Sequence, residues 1–81
     1  MRYSDPEVFY KKLGNKIREL RKERKWSQSD LGYKSELDKS AIQRIERGVD
    51  NSTIRTLIKI ANGFDIEFKG LFDFPKDDLE K

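Results

Sequence analysis

Apolar positions in this 81-residue chain recur at helical spacing, and almost nowhere do they alternate with period two. Phe9, Leu13, Ile17 and Leu20 form one stripe on an otherwise charged first segment. That segment opens at Ser4-Asp5-Pro6-Glu7, where Ser or Asp can cap and Pro suits the first turn, and Lys25-Trp26 ends it. Ser27 caps a second helix running to about Lys34, with Asp30 completing a shorter-armed capping box. Asp38 caps a third, with Leu37 at its entrance, Ile42 and Ile45 inward and Gly48 placed to stop it. Asn51, Ser52 and Thr53 provide a loop and cap for a fourth helix, whose Ile54, Leu57, Ile58 and Ala61 are expected to face inward. Asn62-Gly63 is expected to break it. A short fifth helix from Glu67 to Phe72 follows, before a charged tail that begins at Pro75. Phe64-Asp65-Ile66-Glu67-Phe68 is the nearest approach to an alternating run, and a strand pairing there with a second subunit is the minor alternative. The pattern predicts an all-α fold.

Composition narrows the chemistry. Charged residues make up 41% of the chain and hydrophobic ones 35%, so each helix has to spend its apolar positions on one face. Cysteine and histidine are both absent, which removes disulfides, thiolate ligands, a thiol nucleophile and the commonest general base. With no nucleophile–base pair, phosphate loop or ligand set in the sequence, neither an enzyme nor a cofactor is expected. No apolar run approaches the ~18 residues of a membrane span, so a soluble, cytoplasmic protein is expected. The net charge of +3 is unevenly spread. Between Lys11 and Gly48 there are 12 basic and 6 acidic residues, against 5 and 7 from Val49 onward. That asymmetry favours a polyanionic partner on the first half.

The second and third helices, joined by a tight turn, read as a helix-turn-helix. Opposite Ile42 and Ile45, the third presents Lys39, Ser40, Gln43, Arg44 and Arg47, a polar and mostly basic face of the shape a DNA major groove admits. The run Leu13-Gly14 … Ile17-Arg18-Glu19-Leu20-Arg21, then Trp26-Ser27-Gln28 … Leu31, then Ile42 … Ile45-Glu46-Arg47-Gly48 resembles the lambda-repressor-like, or Xre, helix-turn-helix family. The likeness continues through Asn51, Leu57, Ile60-Ala61 and Leu71-Phe72. The stretch Leu31-Gly32-Tyr33-Lys34-Ser35 with Leu37-Asp38-Lys39 also looks like the controller proteins of restriction-modification systems. The chain departs from the family at Gly32, usually Ala, at Glu36, usually Gly, and at Ser52, often Pro. Gly32 keeps the small size that lets two helices approach. A side chain at Glu36 is strained if the turn needs positive φ.

The resemblance implies a compact five-helix DNA-binding domain over residues 13–72. Residues 1–12 then extend the first helix, and 73–81 form a flexible tail. Base contacts are implied for Lys39, Ser40 and Arg44, and Gln43 shares their face. Gln28 matches a family glutamine that touches phosphate and braces the third helix. Backbone N–H groups around Ser27 and Gln28 are expected to point outward toward a phosphate. Arg47 and Asn51 flank the third helix as further phosphate contacts, with Lys34 and Arg55 as additions. Arg21 and Glu46 match a partly buried ion pair of the family, and Trp26 is expected to pack in the core.

Phe64, Ile66, Phe68, Phe72 and Phe74 exceed what a short last helix needs, and the surplus suggests a self-association surface. A homodimer on double-stranded DNA, regulating transcription with polymerase as a further partner, is the leading expectation. An antitoxin that binds a toxin protein and autoregulates its operon is the alternative.

Overall fold

The computed structural model describes residues 5–49 and 52–74. Its elements are α1 (Pro6–Glu23), α2 (Gln28–Ser35), α3 (Lys39–Arg47), α4 (Ile54–Phe64) and a short 3-10 helix, Phe68–Phe72. The expected fifth helix is therefore a 3-10 turn. Among the described residues there is no strand. In the alternating segment, Phe64 closes α4 and Phe68 opens the 3-10 helix. Ser4, Asn51 and the tail from Pro75 lie outside the described residues.

Each helix begins where a side chain can satisfy its orphan N–H groups. Asp5 accepts from Glu7 and Val8, Ser27 from Asp30, Asp38 from Ala41 and Thr53 from Thr56. The Ser27–Asp30 box is reciprocal.

Glu36, Gly48 and Asp65 cap α2, α3 and α4 in the left-handed region, at φ 59, 70 and 61°, whereas α1 is capped by Arg24 in the right-handed region and the left-handed residue, Lys25 at φ 60°, follows it. In each case the following N–H reaches back to a last-turn carbonyl, as Leu37 does to Gly32 (2.8 Å) and Ile66 to Ala61 (3.0 Å). Three of these four left-handed residues carry a side chain, Glu36 included. The expected break at Asn62-Gly63 does not occur, because α4 runs through both to Phe64. Gly63 serves packing instead. A Cβ there would lie 2.4 Å from the Ser35 hydroxyl and 3.2 Å from the Lys34 carbonyl, so a bare Cα lets α4 lie against the end of α2.

One core gathers all the helices. Leu13 and Ile17 of α1, Leu31 of α2, Ile42 and Ile45 of α3, Leu57, Ile60, Ala61 and Phe64 of α4, and Leu71 are buried together. In α4 the inward stripe is thus Leu57, Ile60, Ala61 and Phe64. Ile54 and Ile58, expected to face inward, are 62% and 45% exposed. Trp26 is half-buried and stacks on Phe64 with ring centroids 5.7 Å apart. The Arg24 guanidinium lies over both rings and donates to the Phe64 carbonyl at 3.0 Å.

The aromatic C-terminal segment mostly closes this core. Phe64 is 2% exposed, which withdraws it from the expected self-association surface. Ile66, Phe68, Phe72 and Phe74 are half-buried against the core. Phe72 sits amid the rings of Phe9, Phe68 and Phe74, at centroid distances of 5.8, 5.1 and 6.3 Å.

Candidate nucleic-acid interface

The third helix divides cleanly. Ile42, Ile45 and Glu46 are buried, while Lys39, Ser40, Gln43, Arg44 and Arg47 are exposed on the other side. The structure thus brings the four expected base-reading residues onto one solvent-facing surface, with Arg47 at its C-terminal end. Nothing on that surface is apolar, so burial within the monomer does not explain it. The Ser40 hydroxyl donates to the Asp38 carboxylate at 3.1 Å, which leaves its oxygen lone pairs as the groups it can offer a base.

What holds this helix in place is a buried carboxylate. Arg21 Nε and Nη2 donate to the two oxygens of Glu46 at 2.7 and 3.0 Å, a fork-to-fork pair linking α1 to α3. Glu46 in turn keeps the guanidinium protonated, raising its pKa further against the lowering effect of burial. Gln28, at the start of α2, donates its amide Nε2 to Glu46 Oε1 at 3.1 Å. One carboxylate therefore ties three helices, and every strong bond it accepts comes from a different element than its own.

Arg18 joins this cluster, and the sequence reading did not single it out. Its Nη2 donates to the Glu46 backbone carbonyl at 3.3 Å, and its Nε lies 3.7 Å from the carboxylate. The available signal was position, since Arg18 and Arg21 are three apart and share a helix face. In a segment this rich in Lys and Arg, that spacing does not stand out.

The caps of α2 and α3 are electrostatic as well as geometric. The Asp38 carboxyl is held below its ordinary value of 3.8, chiefly by the Ala41 N–H and then by the Ser40 hydroxyl. Asp30 is lowered likewise, chiefly by the Ser27 N–H. A carboxylate favoured by folding contributes fully above its unfolded pKa and loses that contribution as pH falls through the lower folded value. Acidification below about 4 is therefore expected to loosen the entrance of α3 before the hydrophobic core gives way. An NMR titration of the Asp38 carboxyl and the Ala41 amide checks this, and an Asp38 midpoint at or above 3.8 would contradict it.

The expected phosphate contacts fare unevenly. Ser27 is exposed, but its N–H donates to Asp30 Oδ2 at 2.8 Å, so it is not held open for a phosphate. The Asp30 carboxylate occupies that helix start, and its charge competes with an incoming anion. The capping box predicted for helix formation is what removes this N–H. Gln28 is half-buried and spends one amide proton on Glu46. Arg47 and Arg55 are exposed. Lys34 rests over the Trp26 ring at 5.0 Å, and Asn51 lies outside the described residues.

A capped four-helix core presenting a rigid, basic, outward third helix defines the class of helix-turn-helix DNA-binding proteins. The model of the HTH_3 family, described as helix-turn-helix, matches residues 17–71, and the chain belongs to that family. The family is one of DNA-binding transcriptional regulators and not a class of enzymes. The chain is 33% identical over 64 residues to the HTH-type transcriptional regulator SutR of Escherichia coli, covering 79% of this chain and 36% of that protein. It thus spans about a third of the length of that curated relative. Among solved structures, the restriction-modification controller protein C.AhdI from Aeromonas hydrophila is 38% identical with a TM-score of 0.76, over 78% of this chain and 96% of that one. The wild-type controller protein C.Esp1396I is 35% identical with a TM-score of 0.71, over 79% and 87% of the two chains.

Proposed function

We propose that this chain is a sequence-specific regulator of the controller-protein type, which inserts α3 into the major groove and acts as a two-fold dimer on an inverted repeat. The observation that carries the reading is the exposed face of α3, clamped from behind by Glu46 through α1 and α2. A recognition helix has to be rigid before its side chains can discriminate bases. Likeness to C.AhdI over 96% of that small chain supports the controller type.

In this reading Lys39 and Arg44 suit the O6 and N7 acceptors of guanine, and Gln43 suits adenine. Ser40 discriminates little. Arg47, and the second amide proton of Gln28, hold phosphates and set the register without reading sequence. A two-fold dimer places two copies of α3 about 34–36 Å apart, one turn of DNA.

Selection of bound duplexes from a random pool, at stated salt, tests the reading and yields the half-site spacing. On the selected site, Arg44→Ala is expected to cost about 1–3 kcal/mol of binding and to relax preference at one position. Arg47→Ala is expected to weaken selected and scrambled duplexes alike. Equal losses from both substitutions on every duplex, or no preferred sequence at all, would defeat it.

A further inference from the structure

We propose that Arg18 is a positioning residue for DNA recognition: it seats the C-terminal turn of α3 on α1, and so fixes the angle at which α3 meets the base edges. This deepens the proposed function and rests on it.

The seat is built from backbone more than from side-chain packing. α1 and α3 approach so closely that a Cβ at Gly14 would lie 2.6 Å from the Glu46 carbonyl oxygen, and one at Gly48 would lie 2.8 Å from the Lys11 Cα. Into this gap the end of α3 brings carbonyls that its own turns leave unsatisfied. The Gly48 N–H takes up those of Arg44 and Ile45. The Glu46 carbonyl accepts instead from Arg18 Nη2 at 3.3 Å, a donor placed four residues beyond Gly14 on the same face of α1. Gly14 thus makes the room and Arg18 makes the bond. A guanidinium is also the charge that the negative end of a helix favours.

Arg18 holds something that Arg21 does not. Arg21 grips the Glu46 carboxylate, which sits at the end of a rotatable side chain. Slack in those torsions lets α3 tilt while the ion pair survives. A bond to the backbone carbonyl has no such slack. α3 has nine residues, and is therefore about 13 Å long. A tilt of roughly 10° about its first turn carries the far end ~2 Å, several times the ~0.5 Å within which a binding constellation has to be held. Arg44 and Arg47 lie toward that far end. Stability depends on Arg18 much less, because its side chain is 42% exposed.

Two substitutions test the role. Arg18→Met keeps the aliphatic stem and removes the donor. Lys22→Met removes the same charge from an exposed position one turn further along α1. Affinities for a selected and a scrambled duplex are measured at several salt concentrations, with helicity followed by circular dichroism. Arg18→Met is expected to lower the ratio of the two affinities about ten-fold or more, the factor that one well-aligned base contact contributes. It is also expected to relax preference at every position that α3 reads. Lys22→Met is expected to leave the ratio at the wild-type value. A purely structural role would not move that ratio, since loss of folded protein weakens both duplexes by one factor. Preference relaxed at a single position would make Arg18 a base reader. Equal losses on both duplexes, with a salt slope smaller by about one, would make it a phosphate contact. Either outcome overturns the positioning role, as does an equal fall of the ratio in Lys22→Met. A wild type with no preferred sequence defeats the proposed function and this role with it, whereas preference kept in full by Arg18→Met overturns this role alone.

Discussion

Glu46→Ala is expected to destabilise the protein by about 3–5 kcal/mol, the cost of removing one partner from a buried ion pair. The side chain of Glu46 is 1% exposed and that of Arg21 12%, so solvent cannot replace the lost carboxylate. The guanidinium would keep one bond, to the Trp26 carbonyl at 2.9 Å, and lose two. Gln28 would lose its bond as well. An exposed pair would cost ~0–1 kcal/mol, so urea unfolding followed by circular dichroism distinguishes the two cases. A double substitution, Arg21→Met with Glu46→Leu, is expected to recover most of the loss, because neither charge is then stranded. The recovered protein would still bind DNA less selectively. Gln28 and Arg18 would no longer have a carboxylate to hold, and α3 would be fixed by apolar packing and the Arg18 bond to the backbone carbonyl alone. A loss below 1 kcal/mol in Glu46→Ala would mean that the clamp contributes little to the fold.

Gly14→Val is expected to cost about 3 kcal/mol, the upper part of the usual range for overpacking a core. A Cβ at Gly14 would lie 2.5 Å from the Ile45 carbonyl oxygen and 2.6 Å from that of Glu46. Both are backbone atoms of α3 and cannot rotate away. Replacing Gly in a helix ordinarily gains up to ~1 kcal/mol in propensity, and Val gains less than Ala, so the clash decides the sign. α1 and α3 have to separate, and the Arg21–Glu46 bonds lengthen with them. Thermal melting measures the stability loss, and the chemical shift of the Arg21 Nε proton reports the clamp. A melting temperature equal to wild type would show that the two helices can part freely.

Much of the architecture was legible in local pattern. Caps at Ser27, Asp38 and Thr53 were readable because each sits immediately before an apolar periodicity and bonds only within its own turn. The outward face of α3 was readable for the same reason, since Ile42 and Ile45 leave its polar residues only one side. Helix stops were less legible. Lys25, Glu36 and Asp65 adopt a backbone conformation that glycine prefers, and Asn62-Gly63, which looks like a stop, is helical. Strain of this kind is tolerated when the surrounding packing over-determines the turn. Position 63 is Gly because Ser35, distant in sequence, occupies the space a Cβ would fill.

Sequence alone therefore determined the helices, their starts, the helix-turn-helix and the basic outward face, because each depends on interactions within a few residues. Tertiary structure decided the rest. Two apolar stripes on α4 are equivalent to any periodicity, and only the packing of α4 against α2 and the 3-10 helix decides that Leu57, Ile60 and Ala61 are buried while Ile54 and Ile58 stay outside. Likewise, family likeness suggested the Arg21–Glu46 pair, but only the crossing of α1, α2 and α3 brings Gln28 and Arg18 to the same carboxylate. Contacts between residues far apart in the chain depend on how helices pack as bodies, and one helix's own pattern does not contain that information.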